Sequence, residues 1–185
     1  MPTTFPMKPA LGRARAFTLI ETFVAISVLL ITLVGPLTLA EQALKSAYYS
    51  RDEITAYYLA QEGIELVRAV RDYNYLNGYS WLTSLDECTD ATPCEEDFTS
   101  SLPGIQQCQN GICGSRTLGP LTIDSLGLYD YNQGGASPFT RTLTIGSVAP
   151  NGNGGDEVIA TVNVTWVSVG ISQHINLSEH FFNWL

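Results

Sequence analysis

An unbroken apolar segment, residues 17–40, constrains the fold of this chain more than any other feature. Its apolar residues cover every face of a helix, whereas a helix in a soluble core carries one apolar stripe. At about 1.5 Å of rise per residue, a helix of this length just spans a bilayer core of roughly 30 Å. The segment therefore predicts a transmembrane helix. Its one formal charge, Glu21, needs an explanation because a carboxylate is costly within a membrane span.

Charge is distributed unevenly on the two sides of this segment. Residues 1–16 carry Lys8, Arg13 and Arg15 and no acidic residue, whereas from residue 17 onward six basic residues face eighteen acidic ones, a net charge of −12. The basic side is expected to stay in the cytoplasm and the acidic body to lie outside. We interpret residues 1–16 as a leader peptide that is removed. With no basic stripe, no nucleic-acid partner is expected.

The helical pattern continues beyond the span. Residues 41–73 form the amphipathic half of one long helix, which is predicted to begin at Phe17 and to end near Asp72. Gly35 and Pro36 are expected to kink it. The predicted apolar stripe of the second half consists of Leu44, Ala47, Tyr48, Ile54, Tyr58, Leu59, Leu66, Val67 and Val70.

Residues 74–120 are rich in polar and glycine residues and predict an irregular loop region that holds all four cysteines. The spacing of Cys88, Cys94, Cys108 and Cys113 does not fit a zinc site, so disulfides are favoured in an exported body. Three pairings are possible, and the local pairs Cys88–Cys94 and Cys108–Cys113 are preferred.

Six acidic residues in the same region would suit calcium, but they lack the loop pattern with a turn glycine, so a solvated acidic loop is favoured. These residues are Asp86, Glu87, Asp90, Glu95, Glu96 and Asp97.

The last third, residues 121–185, predicts an antiparallel sheet. Residues 121–124 and 128–131 are short strand candidates, and residues 139–145, 157–169 and 171–181 are long ones with a tight hairpin at Gly170. One face of the second long strand is predicted to pack on the amphipathic helix, which gives an α+β fold. That face consists of Val158, Ala160, Val162, Val164, Trp166 and Ser168.

The sequence contains no recognisable catalytic motif. There is no glycine-rich phosphate loop, no nucleophile elbow and no pair of histidines at metal-ligand spacing. His174 and His180 fall on one strand face but too far apart for one metal. We therefore expect no enzymatic activity, no metal and no cofactor.

Glu21 gains a partner if the leader is cut between Ala16 and Phe17. The new α-amino group would lie one helical turn from Glu21 and could pair with it or, better, with the carboxylate of a neighbouring copy. In this hypothesis Glu21 sets the register of assembly.

The start of the span reads Ala16-Phe17-Thr18-Leu19-Ile20-Glu21. It resembles the prepilin processing motif of type IV pilins and type II secretion pseudopilins, and residues 58–68 and 166–184 are similar to minor-pilin-like prepilins. The resemblance implies a type IV pilin-like fold, a long N-terminal helix packed on a C-terminal sheet. It also implies cleavage between Ala16 and Phe17 by a prepilin peptidase and N-methylation of Phe17. The family usually has glycine before the cut, where this chain has alanine.

By this resemblance the chain is a filament subunit, held in the inner membrane with its N-terminus inside and delivered through a pilus assembly platform to the cell surface. Its partners are then other copies, other pilins and the processing enzyme. Major pilin, minor pilin and secretion pseudopilin remain open. The rival class is a membrane-anchored or secreted binding or enzymatic domain, since residues 38–40 could pass for a signal peptidase site.

Overall fold

The computed structural model describes residues 18–96, 105–109, 112–113, 116–117, 119–131, 134–147, 157–168 and 170–183. The chain divides into two compact units, residues 1–44 and residues 45–185. The boundary lies inside a single α-helix, α1 (Leu19–Leu76). One helix thus supplies the apolar segment of the first unit and the buried helical face of the second.

Helix α1 begins and ends with the residues that stabilise helix termini. The Thr18 hydroxyl accepts a hydrogen bond from the Glu21 N–H at 3.3 Å, so Thr18 serves as the N-cap. Gly78 follows the helix with a φ of +72°, a conformation that glycine adopts without strain. The amide of Asn74 then donates to the carbonyl of Thr83 at 2.8 Å and holds the following loop against the last turn.

The described residues of the second unit form two antiparallel sheets. Their strands are β1 (Cys94–Glu96), β2 (Ile105–Gln109), β3 (Ile112–Cys113), β4 (Arg116–Thr117), β5 (Thr122–Ile123), β6 (Tyr129–Asp130), β7 (Gly135–Ala136), β8 (Thr140–Ser147), β9 (Glu157–Ser168) and β10 (Ile171–Phe182). The larger sheet has the strand order β10-β9-β8-β1-β2-β3-β4, and the smaller one has the order β6-β5-β7.

Strand β9 builds the centre of the core because its side chains alternate between the two faces of the sheet. Val158, Ala160, Val162, Val164, Trp166 and Ser168 are all buried, which confirms the predicted inner face. Residues of α1 from Ala56 to Val70 join the same core. The predicted α+β arrangement, one long helix with an antiparallel sheet, is therefore present.

The predicted division into a loop region and a sheet is wrong in one respect. Residues 74–120 supply four strands, β1 to β4, of the seven-stranded sheet, whereas residues 121–136 form the separate small sheet. These strands have two to five residues each. Strands this short show no alternation that a sequence pattern could reveal, since their pairing is fixed by neighbouring strands.

The predicted stripe of α1 is only partly buried. Leu59, Leu66, Val67 and Val70 lie in the core, as predicted. The other five members are exposed: four of them precede Ala56, where the buried positions of α1 begin, and Tyr58 is 65 % exposed. Apolar periodicity shows which face can be buried but not how far the covering sheet extends. The exposed members are Leu44, Ala47, Tyr48, Ile54 and Tyr58.

Candidate functional site

The candidate site is the first turn of α1, where Thr18 and Glu21 lie three residues apart. Besides the Thr18 hydroxyl contact, the carbonyl of Thr18 accepts the N–H of Thr22 at 3.2 Å. This Thr-x-x-Glu spacing matches the capping box, in which the cap hydroxyl binds the N–H three residues later. The side chain of Glu21 has no ion pair within the described residues and is exposed. Ala16 and Phe17, the predicted cleavage and methylation residues, lie outside the described residues.

The remaining polar side chains of the apolar segment bond to their own helix. Hydroxyl groups donate to carbonyls three or four residues earlier, at 2.8 or 2.9 Å: Thr22 to Leu19, Ser27 to Phe23, Thr32 to Leu29 and Thr38 to Gly35. Such bonds satisfy hydroxyls in a medium without water. Glu21 is the one residue of 19–40 with a formal charge, and its side chain has no partner among the described residues.

Apolar side chains surround these backbone-bonded hydroxyls and are exposed. Among the described residues, α1 is the one helix that is long and apolar enough to cross a membrane, and none of its most apolar window is buried. Leu19 is 89 % and Phe23 is 71 % exposed. The segment therefore requires cover from lipid or from another protein surface.

The predicted kink residues lie inside the helix. Pro36 interrupts the hydrogen-bond ladder of α1, which nevertheless continues to Leu76. A Cβ at Gly35 would meet no atom of the described residues within 4 Å, apart from the adjoining residues of its own helix. A bend at these residues remains a prediction.

Cys88 and Cys94 form a disulfide, one of the two local pairs favoured from the sequence. Both residues are fully buried, and the carbonyl of Cys88 accepts the N–H of Ile145 on β8. The disulfide therefore fixes residues 88–94 to the main sheet. Cys108 stands opposite Cys113 in the register of β2 and β3. The side chains of this second pair lie outside the described residues, so their disulfide remains a prediction.

The acidic residues of the loop region do not form one solvated cluster. Asp86 and Asp90 are exposed, but Glu95 is 1 % exposed on β1 and accepts the N–H of Gly119 at 3.4 Å. Strand pairing turns Glu95 inward, so the solvated interpretation is wrong for this residue. Asp97 and the side chain of Glu96 lie outside the described residues. Within the described part of the chain, no group of three potential metal ligands occurs.

The two histidines lie on the outer face of β10 and are exposed. The Nδ1 atom of His180 lies 2.6 Å from Oε1 of Glu157 on the neighbouring strand. This contact is a cross-strand pair on the sheet surface.

Sequence reasoning missed a buried ion pair that joins α1 to β8. Arg141 is 1 % exposed, and its Nη1 atom donates to Oε2 of Glu62 at 2.9 Å and to the carbonyl of Leu59 at 3.1 Å. The alternation of side chains along β8 could have predicted that Arg141 is buried, because Arg141 shares its face with the buried Phe139 and Leu143.

A second, more exposed ion pair joins α1 to β10. Arg68 donates to Glu65 at 2.5 Å and to Glu179 at 2.6 Å. These hydrogen bonds to two carboxylates raise the pKa of Arg68. One guanidinium thus serves two acids, one on the helix and one on the last strand.

Comparison of the chain with protein-family models, with curated proteins and with solved structures finds no match.

Proposed function

We propose that this chain is a structural subunit of a type IV pilus or a related filament, with a type IV pilin-like fold and no enzymatic activity. A prepilin peptidase removes residues 1–16 and methylates Phe17. Before assembly the subunit spans the inner membrane through α1 with its body outside, and an assembly platform then transfers it to a filament at the cell surface. There it packs against other copies and other pilins.

The observation that carries this proposal is the continuity of α1 through two environments. The helix is exposed and apolar where it starts and buried against a sheet where it ends. An ordinary cleavable signal peptide is separate from the folded domain, whereas here the apolar segment and the core helix are one element. Cleavage after Ala40 would remove the apolar part of α1 and, with it, any contact of that part with lipid or with another protein.

The first turn supports a role for Glu21 in assembly. The Thr18 hydroxyl accepts a hydrogen bond from the Glu21 N–H, and this bond stabilises the first turn. The Glu21 carboxylate remains exposed for an external partner. In a filament, the α-amino group of Phe17 in a neighbouring copy supplies a positive charge that offsets the cost of placing this carboxylate in an apolar core.

N-terminal sequencing and mass spectrometry of the mature protein test the proposal. Cleavage by a prepilin peptidase yields a chain that begins with N-methylated Phe17. A mature chain that begins at Glu41 would refute filament assembly through α1. Electron microscopy of surface filaments, with mass spectrometry of their subunits, then tests incorporation.

A charge-neutral variant tests the role of Glu21. We expect Glu21→Gln to insert in the membrane as well as the native chain but to enter filaments at a reduced level, because the amine loses its carboxylate partner. Glu41→Gln, the same change at the other end of the apolar segment, is the matched control and should leave incorporation unchanged. Native incorporation of Glu21→Gln would contradict this role.

A further inference from the structure

A long sheet edge remains open along β10. Within the described residues β10 pairs only with β9, in an unbroken register from Ile171 opposite Ser168 to Phe182 opposite Glu157. The twelve residues of β10 contain no proline, lysine or arginine, and the register contains no bulge. Natural edge strands usually carry one of these features, since they prevent pairing with another chain.

The hydrogen-bonding groups of this edge can be assigned from the hairpin. Ser168 and Ile171 flank a two-residue turn in which Gly170 has a φ of +78°. Residues that close such a turn exchange their hydrogen bonds with each other, and the pattern alternates along an antiparallel pair. Alternate residues of β10 therefore direct N–H and C=O groups away from β9. Between Ile171 and Phe181 they are Ser172, His174, Asn176, Ser178 and His180.

A groove runs between this edge and α1. Two adjoining hollows of about 540 and 520 Å³ share Tyr57, Tyr58 and Gln61 on the helix. Leu177 and Ile175 form the wall on β10. We call this feature the α1–β10 groove. A strand added to the open edge would place every second side chain over it.

The lining of the α1–β10 groove combines exposed aromatic rings with excess negative charge. Tyr57 is 43 % and Tyr58 is 65 % exposed. Four carboxylates line the groove, and two guanidinium groups, of Arg68 and Arg141, pair with three of them. The fourth, Glu53, has no ion pair within the described residues. These four carboxylates are Glu53, Glu62, Glu65 and Glu179.

We propose that the open edge of β10 and the α1–β10 groove bind an extended peptide segment of a partner protein in which every second residue faces the groove and these groove-facing residues are basic and apolar in turn. The segment adds a strand to the sheet through its backbone. Its basic side chains meet the excess carboxylates, and its apolar side chains pack on the two tyrosines. The one charge that β10 directs inward, Glu179, does not block this binding because Arg68 neutralises it at 2.6 Å. This surface belongs to the folded body and is independent of the filament proposal.

Fluorescence anisotropy with the full chain in neutral detergent micelles tests this binding. The probe is a labelled ten-residue peptide in which lysine and valine take turns at every second position with threonine between them (the lysine–valine peptide), and empty micelles give the background. The second peptide has glutamate in place of each lysine, and the third is the lysine–valine peptide with every backbone amide N-methylated. We expect the first peptide to bind at least about tenfold more tightly than either of the others. Equal binding of the N-methylated peptide would overturn strand addition.

Protein variants test the location of the site. Glu53→Lys should weaken binding of the lysine–valine peptide by about threefold or more, because it reverses the unpaired charge of the groove. Asp90→Lys makes the same charge change at an exposed residue outside the groove and should leave the affinity unchanged. An equal loss in both variants would overturn the assignment to the groove. Formation of a dimer through β10 that excludes the peptide would also overturn it, since a second copy would then be the occupant.

Discussion

The buried pair of Arg141 and Glu62 gives the sharpest test of how α1 is attached to the sheet. The guanidinium lies in the core at 1 % exposure, and the carboxylate side chain is 37 % exposed. Replacing Glu62 with glutamine keeps the shape and one oxygen acceptor but removes the negative charge. Arg141 then remains buried and keeps its hydrogen bond to the Leu59 carbonyl but loses the carboxylate of Glu62.

The contacts set the size of the expected loss. Breaking a fully buried ion pair costs about 3–5 kcal/mol, and a hydrogen bond to a charged group contributes about 1.5–3 kcal/mol. Glu62 is partly exposed and glutamine can still accept a hydrogen bond from Nη1, so water and the amide replace part of the loss. We therefore expect Glu62→Gln to lower the free energy of unfolding by about 1–2 kcal/mol.

Urea unfolding of the full chain in neutral detergent, followed by the fluorescence of the buried Trp81 and Trp166, measures this loss. Glu53→Gln is the matched control on the same helix, and it should change the free energy of unfolding by less than about 0.5 kcal/mol. In an Arg141→Met background the effect of Glu62→Gln should disappear, since it acts through the buried cation. A loss that persists in that background would refute the reasoning.

Three further predictions concern single features of the body. Gly134→Ala should lower the free energy of unfolding by about 2 kcal/mol or more, because a Cβ there would lie 1.9 Å from the carbonyl oxygen of Ile123 at a φ of +113°. Replacing Cys88 and Cys94 together with serine should cost about 2 kcal/mol in the same assay, the value expected for so short a closed loop. Burial raises the pKa of Tyr129, so its stabilising contribution is present below about pH 10 and is lost as pH rises through the raised folded value. The urea midpoint of Tyr129→Phe should therefore fall less steeply than that of the native chain in this range.

The fold could be predicted where the sequence repeats one structural period over many residues. Helix α1 was expected over residues 17–72 and is observed over Leu19–Leu76, since an apolar segment and an amphipathic one follow each other without a turn residue. Strand β9 was predicted from its run of β-branched residues, and each residue of its inner face was predicted correctly. These elements are long enough for local preference and tertiary packing to agree.

Shorter elements could not be predicted because partners elsewhere in the chain define them. Strand β1 has three residues, Cys94 to Glu96, and pairs with β2 on one side and β8 on the other. Its sequence resembles that of a solvated acidic loop, and only the neighbouring strands turn Glu95 inward. Arg141 presents the same difficulty. A charged residue is usually exposed, and its burial depends on Glu62, which lies far away along the chain.

The first turn of α1 was predicted as a motif, and the structure adds the cap contact between Thr18 and Glu21. The partner that we propose for the carboxylate, the α-amino group of a neighbouring copy, does not occur within a single chain. The pairing of Cys88 with Cys94 followed from a preference for local disulfides. The groove beside β10 could not be predicted, since it depends on where the sheet ends relative to the helix.

An anchor and a filament subunit make different demands on the residues that follow the membrane span. An anchor needs apolar side chains only across the bilayer core, over about 20 residues. In this chain Leu44 and Tyr48 follow the span and remain 57 % and 49 % exposed, before Ala56 begins the buried part of α1. Exposed apolar side chains in such a row favour contact with another surface. Copies packed side by side along α1 would cover them, whereas a solitary anchor would leave them in water, and this difference favours the filament subunit over the anchored domain.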